Sequence, residues 1–211
     1  QQFLDFSSVS ASVSKQIGRD AAIAVILASI AITLYITWSF SNVPNSLRYG
    51  VSAIVALLHD VLLVVGVFSI LGKFFDVQVD TFFVTGVLTV VGFSVHDSIV
   101  VFDRVRENVS RGLIRNFPDA VNHSLLQTMG RSFNTSLTLI FSVLALLLLG
   151  GSSIRDFLLC LLIGVATGTY SSVFIASMFL VTWQQGDIPR TWRRLTGRQA
   201  RPQPAEVAAA E

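Results

Sequence analysis

The 211-residue chain has one cysteine and very little charge. Cys160 alone excludes an intramolecular disulfide and a cysteine-rich metal site. It sits in an apolar run and is read as an inert filler facing core or lipid. Asp, Glu, Lys and Arg make up 13% of the residues, about half the ~25% of a soluble domain. The net charge of +2 gives no sign of a nucleic-acid partner. Also missing are an HExxH pair, a nucleophile elbow and a phosphate-cradling glycine loop. Covalent catalysis is therefore not expected, and neither is a cofactor. No initiator Met or cleavable signal sequence opens the chain. It is expected to begin within a longer product or after processing.

What the chain does have is apolar length. Hydrophobic residues make up 52% of it, gathered in five runs at about 21–40, 49–71, 81–102, 132–149 and 157–183. Each approaches or exceeds the ~20 residues that cross a ~30 Å hydrocarbon layer as a helix. Helices satisfy the backbone internally where no water is available. The fold class is therefore all-α integral membrane, with five transmembrane helices in a bundle over 20–183. Residues 1–19 are polar and Ser-rich, read as the end of an external segment. Residues 184–211 are basic with no apolar period, read as a disordered tail. In 103–131, Val105, Val109 and Leu113 repeat at helical spacing, and after Pro118 so do Val121, Leu125 and Met129. Two amphipathic helices on the membrane surface, in contact with anionic lipid, are expected there.

Charge sets the orientation. Arg48, Arg104, Arg106, Arg111, Arg115, Arg131, Arg190, Arg193, Arg194, Arg198 and Arg201 fall on one side of the bilayer. Only Lys15, Arg19, Lys73 and Arg155 fall on the other. The positive-inside rule places the C-terminus in the cytoplasm. Trp38, Trp183 and Trp192 fall near the same boundary, where indoles favour the interface.

Acids inside such runs need a reason, because a charge at mid-membrane costs at least about 2.5–3.5 kcal/mol. Asp97 lies roughly 8 Å from the inner end of the third run by helix rise. Gly86 and Phe93 share its face, flanked by Thr89 and Ser94. Arg131 opens the fourth run, followed by a polar stripe of Asn134, Thr135, Thr138 and Ser142. An arginine that approaches Asp97 favours the carboxylate; one that retreats lets the acid take a proton. Alternatively Asp97 is a hydrogen-bonded acid that only joins helices, and Arg131 an inner anchor that snorkels to the headgroups. The second run holds another acid, Asp60, beside His59. Neighbouring helix positions point about 100° apart, so neither His59–Asp60 nor His96–Asp97 makes a metal site. Both histidines are read as packing and interhelical hydrogen-bonding groups, with Asp60, His59, His96, Ser94 and Thr135 as secondary members of a polar or proton network. Gly164, Gly168, Ser172 and Ala176 recur every four residues on the last run and form a helix-packing ridge.

The stretch GFSVHDSIVVFDRVREN, from Gly92 to Asn108, resembles the signature of the SecF family, the membrane subunit of the bacterial SecDF protein-export factor. The matching positions are Gly92, Phe93, His96, Asp97, Asp103, Arg104, Arg106, Glu107 and Asn108. Many relatives have Asn at the His96 position. HDVLLVVGVFSI from His59, MGRSFNTSLTLI around Arg131 and SVSKQIGRDA near the start resemble other family segments. The resemblance implies a resistance-nodulation-division fold, with this chain forming most of a six-helix half-bundle completed by a SecD half. The first helix and external domain would precede residue 1. It further implies the cytoplasmic (inner) membrane of a bacterium, the SecYEG channel and a translocating unfolded polypeptide as partners, and protons moving by way of Asp97 and Arg131. A proton-driven exporter of small molecules or lipids and a passive scaffold of the translocon are the rival readings.

Overall fold

The computed structural model describes residues 11–41, 45–75, 77, 80–112, 114 and 116–186. Five long helical spans run up and down, each long and apolar enough to cross a membrane. They are α1 (Ala11–Ser39), α2 (Ser46–Phe75), α3 (Thr81–Ser110), α4 (Phe117–Leu149) and a last span made of α5 (Arg155–Ser171) and α6 (Ser177–Gln184). A π-helical turn, Ser172–Ala176, joins α5 to α6. No strand occurs among the described residues. The chain is an all-α, multi-pass membrane protein.

Local chemistry sets the helix ends. The Asp80 carboxylate accepts from the Phe83 amide at 2.9 Å and caps α3. Pro118 stands in the first turn of α4, where its missing N–H is no loss. Gly112 (φ +64°) closes α3 in the left-handed conformation that glycine adopts without strain.

Three expected boundaries are corrected. α1 starts at Ala11 rather than near residue 21. Residues 103–110 continue α3, and 117–131 are the first half of α4. The expected pair of surface helices is instead the end of a helical hairpin. Its apolar stripe faces the core, where Val105, Val121 and Leu125 are buried. Polarity misled here because it marks where a helix leaves hydrocarbon, not where it stops. Residues 1–10 and 187–211, including Arg190 to Arg201 and the expected disordered tail, lie outside the described residues.

α3 is the central helix, touching α1, α2, α4 and α5. Three apolar clusters fill the bundle, the smallest of them Leu57, Val91 and Val95. One lies toward the α3–α4 connection, where Tyr49 stacks on Phe40 (5.4 Å) and meets Phe102 edge-on (5.6 Å). Another lies toward the opposite end, around Phe68 and Phe83 (4.5 Å). Buried polar side chains, Asp60, Ser94 and Ser171 among them, also lie within the bundle.

Gly164, Gly168, Ser172 and Ala176 are all buried. Gly164 sits against Val90 of α3, and Gly168 against Ser94. The small-residue ridge thus packs inside the bundle.

Candidate functional site

Asp97 is half-buried on α3. It lines an open cavity of about 230 Å³ between α3, α4 and α5. Ser94, His96, Thr135, Ser136, Gly168 and Thr169 supply most of the polar or small wall. Phe93, Leu139 and Val165 complete it. Ser136 and Thr169 share a 2.6 Å hydrogen bond between α4 and α5. A cavity of this size has room for several waters at about 30 Å³ each, and hydroxyls give them partners. A carboxyl group here can exchange a proton with water while its surroundings stay largely dry.

Arg131 is exposed near the middle of α4. It lies one helical turn from Thr135, whose hydroxyl donates to the Arg131 carbonyl at 3.0 Å. Neither Arg131 nor Asp97 belongs to an ion pair among the described residues. In this conformation the two are near one cavity but unpaired. Thr135 is exposed at the cavity wall, and the rest of the α4 stripe, Asn134, Thr138 and Ser142, is exposed as well. Thr138 and Ser142 donate back to carbonyls of their own helix at 2.8 and 2.9 Å.

Asp60 occupies the interior. It is fully buried where α2, α3 and α5 meet. Its Oδ2 accepts from Ser94 at 2.5 Å and from Ser171 at 2.6 Å. Its Oδ1 lies 3.1 Å from His59 Nδ1. Neither histidine hydrogen-bonds across helices among the described residues, contrary to expectation. His59 turns to its neighbour on α2 and His96 is exposed beside the cavity. The reason is position: both lie on the rim of the bundle. Sequence reasoning missed Ser136, Thr169 and Ser171. Their signal was present, since all three hydroxyls fall within apolar spans.

The Gly92–Asn108 signature divides in two. Gly92 and Asp97 belong to the membrane interior. Arg104, Arg106 and Asn108 tie helices together at the α3–α4 end, while Asp103 and Glu107 pair with arginines of their own helix. Asn108 is buried and donates to Ser124 Oγ (2.8 Å) and Gln127 Oε1 (3.1 Å) on α4. Arg106 donates to the Ser39 carbonyl at 3.0 Å, capping α1, and lies over the Phe40 ring; Asp103 sits 3.7 Å from it. Glu107 pairs with Arg104 and, at 2.6 Å, with Arg111, and Arg104 reaches Gln127. Asn108→Ala is expected to lower the thermal unfolding midpoint in detergent, because truncation strands buried partners at a cost of about 1–3 kcal/mol. An unchanged midpoint would remove Asn108 from the tie.

Residues 1–186 match the family model for the protein export membrane protein SecD/SecF, C-terminal. The chain belongs to the SecD/SecF family. It is 53% identical over 191 residues to a protein translocase subunit SecF of Thermobaculum terrenum, covering 90% of this chain and 60% of the relative. A protein translocase subunit SecDF of Thermus thermophilus is 40% identical over 84% of this chain and 23% of its own length. A crystal structure of SecDF in a super-membrane-facing form superposes with a TM-score of 0.71 at 36% identity, over 88% of this chain and 24% of that one. The chain thus spans about 60% of the SecF relatives and about a quarter of the SecDF relatives.

Proposed function

We propose that the chain is the membrane subunit of a protein-translocation factor driven by the proton-motive force, working beside the SecYEG channel in the bacterial inner membrane with its C-terminus in the cytoplasm. A SecD half, separate or fused, completes the bundle. The observation that carries this reading is Asp97 in an open cavity with hydroxyls in its wall, one of them Thr135, which stands one turn along α4 from Arg131, a residue in no ion pair among the described residues. Protonation removes the charge on Asp97 and with it the attraction to Arg131. The helices then repack, and the motion passes to the external domain that handles the emerging unfolded polypeptide. No covalent bond is made or broken.

Three further features support the reading. The outward polar face of α4 is poorly suited to lipid and well suited to a second helical half. The relatives that are longer than this chain include fused SecDF proteins. Basic residues at the α3–α4 end also suit anionic headgroups on the cytoplasmic side.

The test is export of an unfolded substrate in vesicles holding the full-length SecD–SecF complex and the channel. Collapsing the gradient with an uncoupler after the ATP-driven stage is expected to stop further movement. Equal export with and without the gradient would leave only a passive scaffold.

A further inference from the structure

Asp60 has no role in the scheme above, yet it is the most enclosed acid of the described residues, at 0% exposure. It makes no ion pair with Lys or Arg there. Hydroxyls from two other helices converge on one of its oxygens, and an imidazole adjoins the other. Ser94 belongs to two places at once: its hydroxyl donates to Asp60, and the residue lines the Asp97 cavity. Gly168 thins the same wall, since a Cβ there would lie 3.7 Å from Asp60 Oδ2. On the far side, the His59 side chain is 37% exposed. Asp60 is therefore the midpoint of a line from the cavity, through Ser94, to a second face of the bundle at His59.

We propose that Asp60 is a second proton-exchanging carboxyl group of this chain, linked to the Asp97 cavity through Ser94 and to the partly exposed rim of α2 through His59. The inference rests on the proton-driven reading and adds a branch to it. The Ser94 Oγ–H bond breaks as an Oδ2–H bond forms on Asp60, and Ser94 regains a proton from the cavity. The carboxyl group then turns about Cβ–Cγ to carry that O–H to the His59 side; the O–H bond breaks as an N–H bond forms on His59 Nδ1, and the imidazolium so formed releases the proton of its other nitrogen.

Ser171 gives this step a mechanical consequence. Its hydroxyl shares Asp60 Oδ2 with Ser94, and the π-helical turn begins at the next residue. Such turns sit between two registers of a helix and are common at functional sites. A proton on Oδ2 leaves that oxygen a poorer acceptor for two hydroxyls, so Ser171 loosens and the α5–α6 joint is freed to shift.

The titratable groups facing Asp60 are few. α2 contributes His59, and α3 contributes Asp97 and His96 across the cavity wall. From α5 and α6 only hydroxyls and backbone approach, Cys160 lying instead against Gly86.

The experiment measures proton flux in proteoliposomes containing the full-length SecD–SecF complex, with Asp60→Asn, Ser94→Ala, Ser94→Thr and Asp97→Asn compared at equal assembly. Asp60→Asn and Ser94→Ala are expected to cut flux by about 10²-fold, the low end for a lost proton-transfer group, and Ser94→Thr to restore it. Wild-type flux in both Asp60→Asn and Ser94→Ala, with flux lost in Asp97→Asn, would overturn the branch and leave the Asp97 reading standing. Wild-type flux in all of them would end both. Should Asp60→Asn fail to assemble, infrared difference spectra of the Ser94 variants decide. A pH-dependent carboxyl band moved by Ser94→Ala is expected, and a band indifferent to Ser94 overturns the link.

Discussion

An Asp97→Asn chain, assembled with its SecD half, is expected to keep its fold and lose all export that depends on the proton gradient. The two side chains have nearly the same shape, and an amide can still hydrogen-bond with the hydroxyls and water of the cavity. What it cannot do is bind or release a proton. Each proton crossing 100 mV is worth about 2.3 kcal/mol, a bias of about 40-fold between two helix arrangements. The variant should forfeit that bias entirely while ATP-driven export continues. Arg131→Lys is expected to fall between wild type and Asp97→Asn, because it keeps the charge and loses the planar fork. The measurement is export rate with and without an imposed gradient, at matched complex abundance. Gradient-stimulated export by an assembled Asp97→Asn complex would remove Asp97 as the carrier and turn the cavity into a packing defect.

Gly164→Ala and Gly168→Ala are expected to part company although both lie on the same ridge of α5. A Cβ at Gly164 would overlap the Val90 side chain, which is itself enclosed in the core around Phe83 and Leu161. One methyl group there must push α3 and α5 apart, a strain of about 1–3 kcal/mol. A Cβ at Gly168 meets Ser94 at 3.4 Å and Asp60 at 3.7 Å, ordinary contact distances. Thermal unfolding in detergent should show Gly164→Ala clearly destabilised and Gly168→Ala close to wild type. Equal midpoints for the two would mean that the ridge sets no particular helix separation.

The apolar runs and the Gly–Asp signature made the class, the number of spans, the packing ridge and the Asp97 position legible, because each rests on local physics. A backbone in hydrocarbon must be helical, and small residues four apart must share a face. The helix ends were less legible. Hydrophobicity reports which part of a helix lies in lipid, and the polar turns of 103–110 and 117–131 carry the hairpin beyond it. The roles of Arg104, Arg106 and Asn108 were hidden as well, since a conspicuous charged motif gives no hint that it holds α1, α3 and α4 together.

Sequence by itself determined that this is a five-span helical membrane protein of the SecD/SecF family with an acid set into its third span. Only the tertiary structure decided which polar groups meet. Asp60, Ser94 and Ser171 come from three helices and stand 34 and 111 residues from one another along the chain in their two bonds. Their meeting follows from the rotation and depth at which whole helices pack. Those are set by contacts such as Gly164 on Val90, summed over the bundle, and no local pattern of residues encodes them.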